Sequence, residues 1–564
     1  MLNNFAKGLM VVAGLGLASQ AMAAPSNNEL KIGISQEFET LNPLIMTMSA
    51  SSYMQRMVGR TLVVMTPDGK WVTQLAKEIP SLDKGTAKII EEGGKKKIVA
   101  NWEIIDAAKW GDGKPVVCQD FVTAHKIAIS PNVSVGEKEQ WTQVEKIDID
   151  PKNPKKCTFK YDKAKWDFYQ LAQFHPVPTH LEGPIFDKHG KAKEGYEKNS
   201  NYVRNSTNPG LYNGPYLITE VKLGSHVSFA PNPHFYGKKT NIQKIIVKVI
   251  PNTGTMEANL RSGTIDMISA LGMDFDQALA FDKKAKGEGL PFNVHFVPSV
   301  TYEHIDLQLD NPILKDVRVR KALLYSINRE DLVKALFEGR QQVASHNISP
   351  KDSAWYTADP KKVSLYRYSK REATKLLDEA GWKMGPDGYR VKDGKKLSLV
   401  FQTTAGNKTR EVVQVYLQNQ WKQAGIEILV KNEPARVFFG DTMTKRKFEG
   451  MALFAWVSSP ESSPRSTLAS SAIPTNKNGW SGQNFTGWKN ANVDKNLDAL
   501  DLEFNAGKRT QLVHDILKEY TTDIPVLPLY YRSEISVTPK NLKNYKMAGH
   551  QFYETNNIED WNLN

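Results

Sequence analysis

The stretch Thr409-Arg-Glu-Val-Val-Gln-Val-Tyr-Leu-Gln-Asn-Gln-Trp-Lys-Gln-Ala-Gly425-Ile-Glu-Ile-Leu-Val430 carries two periodicities back to back. Val413, Leu417 and Trp421 recur every fourth residue, which puts them on one buried face of a helix that starts at Thr409. Gly425 ends the helix, and the apolar run Ile426 to Val430 reads as a strand. The same rhythm appears on either side. Ser369-Lys-Arg-Glu372 is a capping box ahead of a helix over 373–380 closed by Gly381, and Met451 to Val457 reads as another strand. Alternation on this scale predicts an α/β fold with mixed strand pairing.

Toward the N-terminus the pattern becomes more β-like. Glu29 to Ser35 alternates apolar and polar residues, Leu41-Asn42-Pro43 turns the chain, and Ser51 to Val58 reads as a helix before a strand over Thr61 to Met65. Thr66-Pro67-Asp68-Gly69 is a turn, and residues 70 to about 165 read as short strands joined by Gly/Asp turns, the clearest being Trp110-Gly-Asp-Gly-Lys-Pro115. A second β-rich stretch runs from Gly214 to Val249. Met256 to Arg261 is helical and stops at Ser262-Gly263. No internal repeat or low-complexity linker interrupts the chain, so its lobes are expected to be joined by short crossings.

The 564 residues are enough for three or four compact units. The formal net charge is +13, yet lysines and acids are interleaved. The densest run, Lys95-Lys96-Lys97, follows Glu91-Glu92-Gly93-Gly94 as a solvated hairpin would, so no nucleic-acid partner is expected. Lys7, the short apolar run Gly8 to Ala18 and Ala21-Met22-Ala23 have the layout of a cleaved secretory signal over residues 1–23. With no cysteine at the cleavage site no lipid anchor is expected, and the expected location is the periplasm. In such a compartment Cys118 and Cys157 either form a disulfide, stabilising by about 3–4 kcal/mol on the chain-entropy model, or remain two buried thiols. There is no G-x-S-x-G, H-E-x-x-H, C-x-x-C or P-loop motif, and His175 and His180 are spaced off a common helical face. The sequence thus offers no catalytic residues, no metal site and no cofactor.

A series of short motifs runs in order along the chain: Leu41-Asn42-Pro43, Gly59-Arg-Thr-Leu62, Trp110-Gly-Asp-Gly-Lys-Pro115 with Asp120-Phe121, and Gly214-Pro-Tyr216. Asn232-Pro-His-Phe-Tyr-Gly237, Arg261-Ser-Gly-Thr-Ile-Asp266, Asp316-Val-Arg-Val-Arg-Lys-Ala322 with Asn328-Arg329, Ala380-Gly-Trp382, Asn484-Phe-Thr-Gly-Trp488 and Pro528-Leu-Tyr-Tyr531 follow. Each is weak alone. Their collinearity resembles the bacterial extracellular solute-binding proteins of family 5, the periplasmic oligopeptide- and dipeptide-binding proteins. The resemblance implies a periplasmic-binding-protein-like architecture of two lobes around a ligand cleft. Lobe I would comprise 24–67, 206–299 and the C-terminal return 526–564, with a β-rich subdomain inserted at 68–205; lobe II would be 300–525. It also implies a monomeric, non-catalytic receptor for peptides that hands its guest to an inner-membrane ABC permease with separate ATPase subunits. A receptor for another small solute (a saccharide, an opine-like conjugate, a metal or haem complex) is the alternative.

The same resemblance points to ligand contacts. Met46-Thr47-Met48-Ser49 falls where family members touch ligand from lobe I, and His304 and Asp306 lie on a strand that tends to face the cleft. Trp456 matches a tryptophan of the cleft wall, with core packing as the alternative for each of these aromatic and methionine side chains. The peptide binders often carry Asp three residues after that tryptophan, to pair with the peptide α-ammonium. Here the run is Trp456-Val-Ser-Ser459-Pro-Glu461, so Ser459 stands in the carboxylate position and Glu461 is the candidate substitute. For a ligand carboxylate, Arg410 or Lys408 competes with Lys445 and Arg446. Trp480, Phe485 and Trp488 cluster late in lobe II, as stacking surfaces or as core.

Overall fold

The computed structural model describes residues 28–38, 40–46, 48–135, 139–434, 437–478, 480 and 482–564. The signal-peptide reading of 1–23 and Thr47 lie outside them. An 11-stranded mixed sheet runs through the molecule. From one edge its strands are Glu427–Val430, Ser398–Gln402, Met451–Trp456, Phe292–Leu307, Val526–Pro539, Met267–Ile268, Glu29–Ile34, Lys244–Val249, His226–Pro231 and Tyr216–Lys222, with Gln342–Val343 added beside Val526–Pro539. The two long central strands are antiparallel, from Phe292 opposite Pro539 to Asp306 opposite Val526. Their register shifts between Pro298 and Tyr302, where a bulge bends and twists the pair.

Separate cores lie on the two sides of that bulge. On one side Leu30, Ile32, Tyr53, Trp102 and Val247 pack with the C-terminal residues Ile558, Trp561 and Leu563. On the other, Ile305, Leu323, Leu453, Leu527 and Tyr530 pack against Val413, Leu417 and Trp421, the three residues whose spacing announced the helix. That helix is Lys408–Gln423. The Asn407 side chain caps it by accepting from Arg410 N at 3.0 Å, and Gly425 follows at φ +78°. Ser369 caps Lys370–Glu379 by accepting from Glu372 N at 3.2 Å.

The stretch read as short strands after residue 70 also contains a helix, Cys118–Ala128. Cys118, Phe121, Ala124 and Ala128 are all buried on it, at helical spacing that the flanking turn signals masked. It lies against a four-stranded antiparallel sheet of Ala87–Glu92, Lys95–Glu103, Asn153–Tyr161 and Val144–Asp150, and Cys118 is disulfide-bonded to Cys157 of that sheet. The Trp110 turn is structural. Trp110 Nε1 donates to the buried Asp120 carboxylate at 3.0 Å, and a Cβ on Gly111 would meet Pro209 O at 2.5 Å. The Asp316 segment is structural too: Arg320 donates to four carbonyls, among them Asp523 and Ile524 just ahead of the second long strand.

Candidate functional site

Side chains alternate along a strand, so Tyr302, His304 and Asp306 share one face of Phe292–Leu307. The neighbouring strand sets Trp456 opposite Tyr302 and Phe454 opposite His304. These rings form a wall: Tyr302 and His304 stack at 4.9 Å, His304 and Trp456 at 6.3 Å, and Trp456 leans on Phe485 at 5.7 Å. In front of the wall is a cavity of about 150 Å³. Hydroxyls of Ser349, Ser458, Ser459, Ser462 and Ser463 line the rest of it, with Asp306 and Asp352 as its two carboxylates. Thus His304, Asp306, Trp456, Ser459 and Phe485, singled out separately in the sequence, meet at one place.

Glu461, the candidate substitute for the carboxylate absent at Ser459, is not part of that lining. It sits at φ +54°, a left-handed position that turns its side chain to Arg509, Oε2 to Nη2 3.9 Å. Burial pushes its carboxyl up, and Arg509 partly offsets this. Its backbone N–H instead donates to Asp352 Oδ2 at 2.8 Å. Asp352 is 5% exposed and its Oδ1 has no hydrogen-bond partner among the described residues. Burial, seconded by the Glu461 charge, pushes its carboxyl up to about 7 against the pull of nearby backbone N–H groups. By contrast Asp306 has a basic neighbour, with His304 Nε2 3.3 Å from its Oδ1. Asp352 comes from a loop in which no sequence motif points to a ligand.

Arg509 also contacts the stretch that follows the four-stranded sheet. Its guanidinium lies 4.1 Å over the ring of Trp166, which follows the strand Asn153–Tyr161 and is almost fully buried. Trp166 packs edge-on to Trp355 at 5.9 Å, and its backbone N–H donates to Asp501 O at 3.0 Å.

Other candidates are placed elsewhere. Arg410 does not line the cavity: its guanidinium is held by Glu303 Oε1 (Nη2 at 3.2 Å) and Thr404 Oγ1, and Arg532 bonds the same Glu303 oxygen. Glu303 and Arg410 lie on the opposite face of the sheet because Glu303 is out of phase with Tyr302 and His304. Lys408 pairs with Glu411 and Lys445 with Asp441, while Arg446 braces Phe485 O and Asp310. Trp488 is core, its Nε1 donating to Asp523 at 3.0 Å; Trp480 is half-buried outside the cavity lining. Met46 and Ser49 are half-buried outside the cavity lining, Ser49 hydrogen-bonding Tyr553. His180 pairs with Asp112, burial holds the His175 imidazole well below its usual range, and no group of three or more His, Cys, Asp or Glu among the described residues could hold a metal ion. No helix among the described residues is long and apolar enough to cross a membrane.

Residues 101–479 match the family model described as bacterial extracellular solute-binding proteins, family 5 Middle. The chain is 26% identical over 541 residues to the oligopeptide-binding protein AppA of Bacillus subtilis, covering 94% of this chain and 91% of the relative. It is 28% identical to the solved oligopeptide-binding protein of Thermus thermophilus complexed with a pentapeptide, with a TM-score of 0.71 and coverage of 95% and 96% of the two chains. The nickel-binding periplasmic protein of Escherichia coli is 22% identical over 539 residues, 95% of each chain.

Proposed function

This chain belongs to the bacterial extracellular solute-binding proteins of family 5, and from that premise we propose that it is the capturing component of an ABC importer for peptides. It binds in the periplasm and delivers to an inner-membrane permease whose ATPase subunits are separate chains. The observation that supports this most is the cavity where the long crossing strands meet the strand of Trp456, with apolar rings on one side and hydroxyls and two carboxylates on the other. The family's members are solute-binding receptors, and this chain is read as one that captures without catalysis.

On this reading the halves are the two lobes, 24–67, 206–299 and 526–564 against 300–525, with 68–205 inserted in the first. The paired strands at Pro298/Tyr302 are the hinge, because a bulged pair absorbs a φ/ψ change over few residues. Lobe closure then follows from the guest's greater affinity for the closed form. The chain acts as a monomer.

The test is mass spectrometry of solutes released when freshly purified protein is denatured. Recovery of short peptides is the expected result, and recovery of sugars alone overturns the peptide reading. A saccharide guest is the second reading, favoured by the serine hydroxyls facing the Trp456 and Phe485 rings. Labelled peptides incubated with the protein should be returned uncut.

A further inference from the structure

The cavity beside Trp456 holds about 150 Å³, well below the roughly 300–1,000 Å³ of a pocket that encloses a whole small molecule. A guest of several residues must therefore continue outside it, and the row of rings marks a path. Phe454 and Trp456 alternate onto the face shared by Tyr302 and His304, and their rings meet edge-on at 5.2 Å. Phe439 meets the same Phe454 ring edge-on at 6.0 Å. Its neighbour Phe438 is fully buried and anchors the segment, yet Phe439 stays 40% exposed. The backbone that presents it is a π-turn, Phe438–Met443, a rare form met mostly at functional sites. A Cβ on Gly440 would have nothing within 4 Å, so the space next to the Phe439 backbone is open. The charges of the turn are satisfied among themselves, Asp441 pairing with both Lys445 and Lys447 at 2.7 Å. An open, uncharged ring that continues a row starting in the cavity is suited to an apolar side chain.

We propose that Phe439 is a specificity platform that receives an apolar side chain of the bound solute, on the stretch of guest that leaves the Trp456 cavity. This rests on the peptide reading above. Two ring-to-ring steps, 5.2 Å and 6.0 Å, put Phe439 no more than about 11 Å from Trp456. An extended chain rises about 3.3 Å per residue. A peptide with its terminal residue against Trp456 thus brings its third or fourth residue to Phe439. Dipeptides fall short of the ring, and longer peptides with an aliphatic or aromatic residue at that place cover it. Covering it removes apolar area from water on both partners, which favours such guests over those with a polar residue there.

The experiment is calorimetric titration with two mixed hexapeptide libraries, one with leucine at both central positions and one with serine there. Those positions are third and fourth from either end, so the direction in which the guest lies does not matter. The unaltered protein should bind the leucine library at least fivefold more tightly. Phe439→Ser should bring the two affinities within twofold of each other, whereas Phe439→Leu should keep the preference. Equal binding of the two libraries by the unaltered protein overturns the platform and leaves the peptide reading standing. Persistence of the full preference in Phe439→Ser, with its thermal melt intact, also overturns it and leaves the exposed ring to a protein partner. Binding of neither library overturns the peptide reading itself, and the platform falls with it. If Phe439→Ser does not fold, Phe439→Trp decides: the leucine library should shift its emission to the blue by more than it shifts that of the unaltered protein, and an equal shift overturns the proposal.

Discussion

The Arg509 guanidinium lies 4.1 Å above the ring of Trp166, a residue from the stretch after the four-stranded sheet that packs in one core cluster with Trp355, Val513 and Leu517. The same guanidinium reaches Glu461, whose amide holds Asp352 in the cavity. This contact is therefore linked to the proposed ligand site through Arg509 and Glu461. Trp166→Ala removes the ring that Arg509 covers, which on the proposed two-lobe reading is a grip between the lobes. Scattering from the unliganded protein should show a larger radius of gyration than wild type. Solute affinity should fall roughly tenfold, equivalent to about 1.4 kcal/mol lost from the closed form. An unchanged scattering curve with unchanged affinity would show that Trp166 is a passive packing residue.

Trp456 is half-buried at the end of its strand, covering a small cluster of Phe454, Phe485 and Phe438. A side chain that keeps one face on the cavity contributes little to the unliganded fold and much to a guest. Trp456→Ala should weaken solute binding tenfold or more while moving the unliganded melting temperature by only a few degrees. A loss of about 3–5 kcal/mol in a urea titration, the cost of deleting a fully buried aromatic ring, would mark Trp456 as core instead.

Glu534 and Glu554 are two neighbouring buried carboxyls in the C-terminal stretch of the chain. Burial, with the Glu554 charge adding to it, pushes Glu534 up to about 8, and burial pushes Glu554 up to about 7. Between the unfolded value near 4.5 and these folded values the native state holds more protons than the unfolded chain. Stability from this pair is complete below pH 4.5 and declines as pH rises, by up to about 1.4 kcal/mol per pH unit for each group. Urea midpoints should therefore fall between about pH 5 and pH 8, and Glu554→Gln should flatten that slope. Parallel pH profiles for the two proteins would refute the assignment.

Local chemistry made much of the fold readable. The Val413/Leu417/Trp421 spacing, the Ser369 cap and the Gly425 stop are all written within a few residues of where they act, whereas the Asn407 cap two residues ahead of Thr409 was not read. His304 and Asp306 could be placed on one face because strand alternation fixes which side chains share it, and Trp456 lies on the strand paired beside them. Asp352 was not legible, since its place at the cavity exists only once the loop after Gln342–Val343 lies against the Glu461 amide, a contact across 109 residues. Glu461 was left open between the two orientations for a related reason: its left-handed backbone places the side chain near Arg509, and nothing in the run Ser459-Pro460-Glu461 signals that conformation.

Arg410 shows the same limit and leads to the last prediction. Its sequence position suggested a fork for a ligand carboxylate, yet its fork is taken by Glu303, 107 residues away. Burial alone would raise the Glu303 carboxyl, but the Arg532 and Arg410 guanidiniums outweigh that and hold it low. One buried carboxylate thus serves two cations, and its second oxygen has no partner among the described residues. Glu303→Gln leaves both guanidiniums without a counter-charge and should destabilise by about 3 kcal/mol, toward the lower end for a broken buried pair because Arg532 is 39% exposed. Arg410→Met keeps Glu303 paired with Arg532 and should lose less. Chemical denaturation of both variants checks the order. Equal losses would mean that the Arg532 contact contributes nothing, and the triad would reduce to a single Glu303–Arg410 pair.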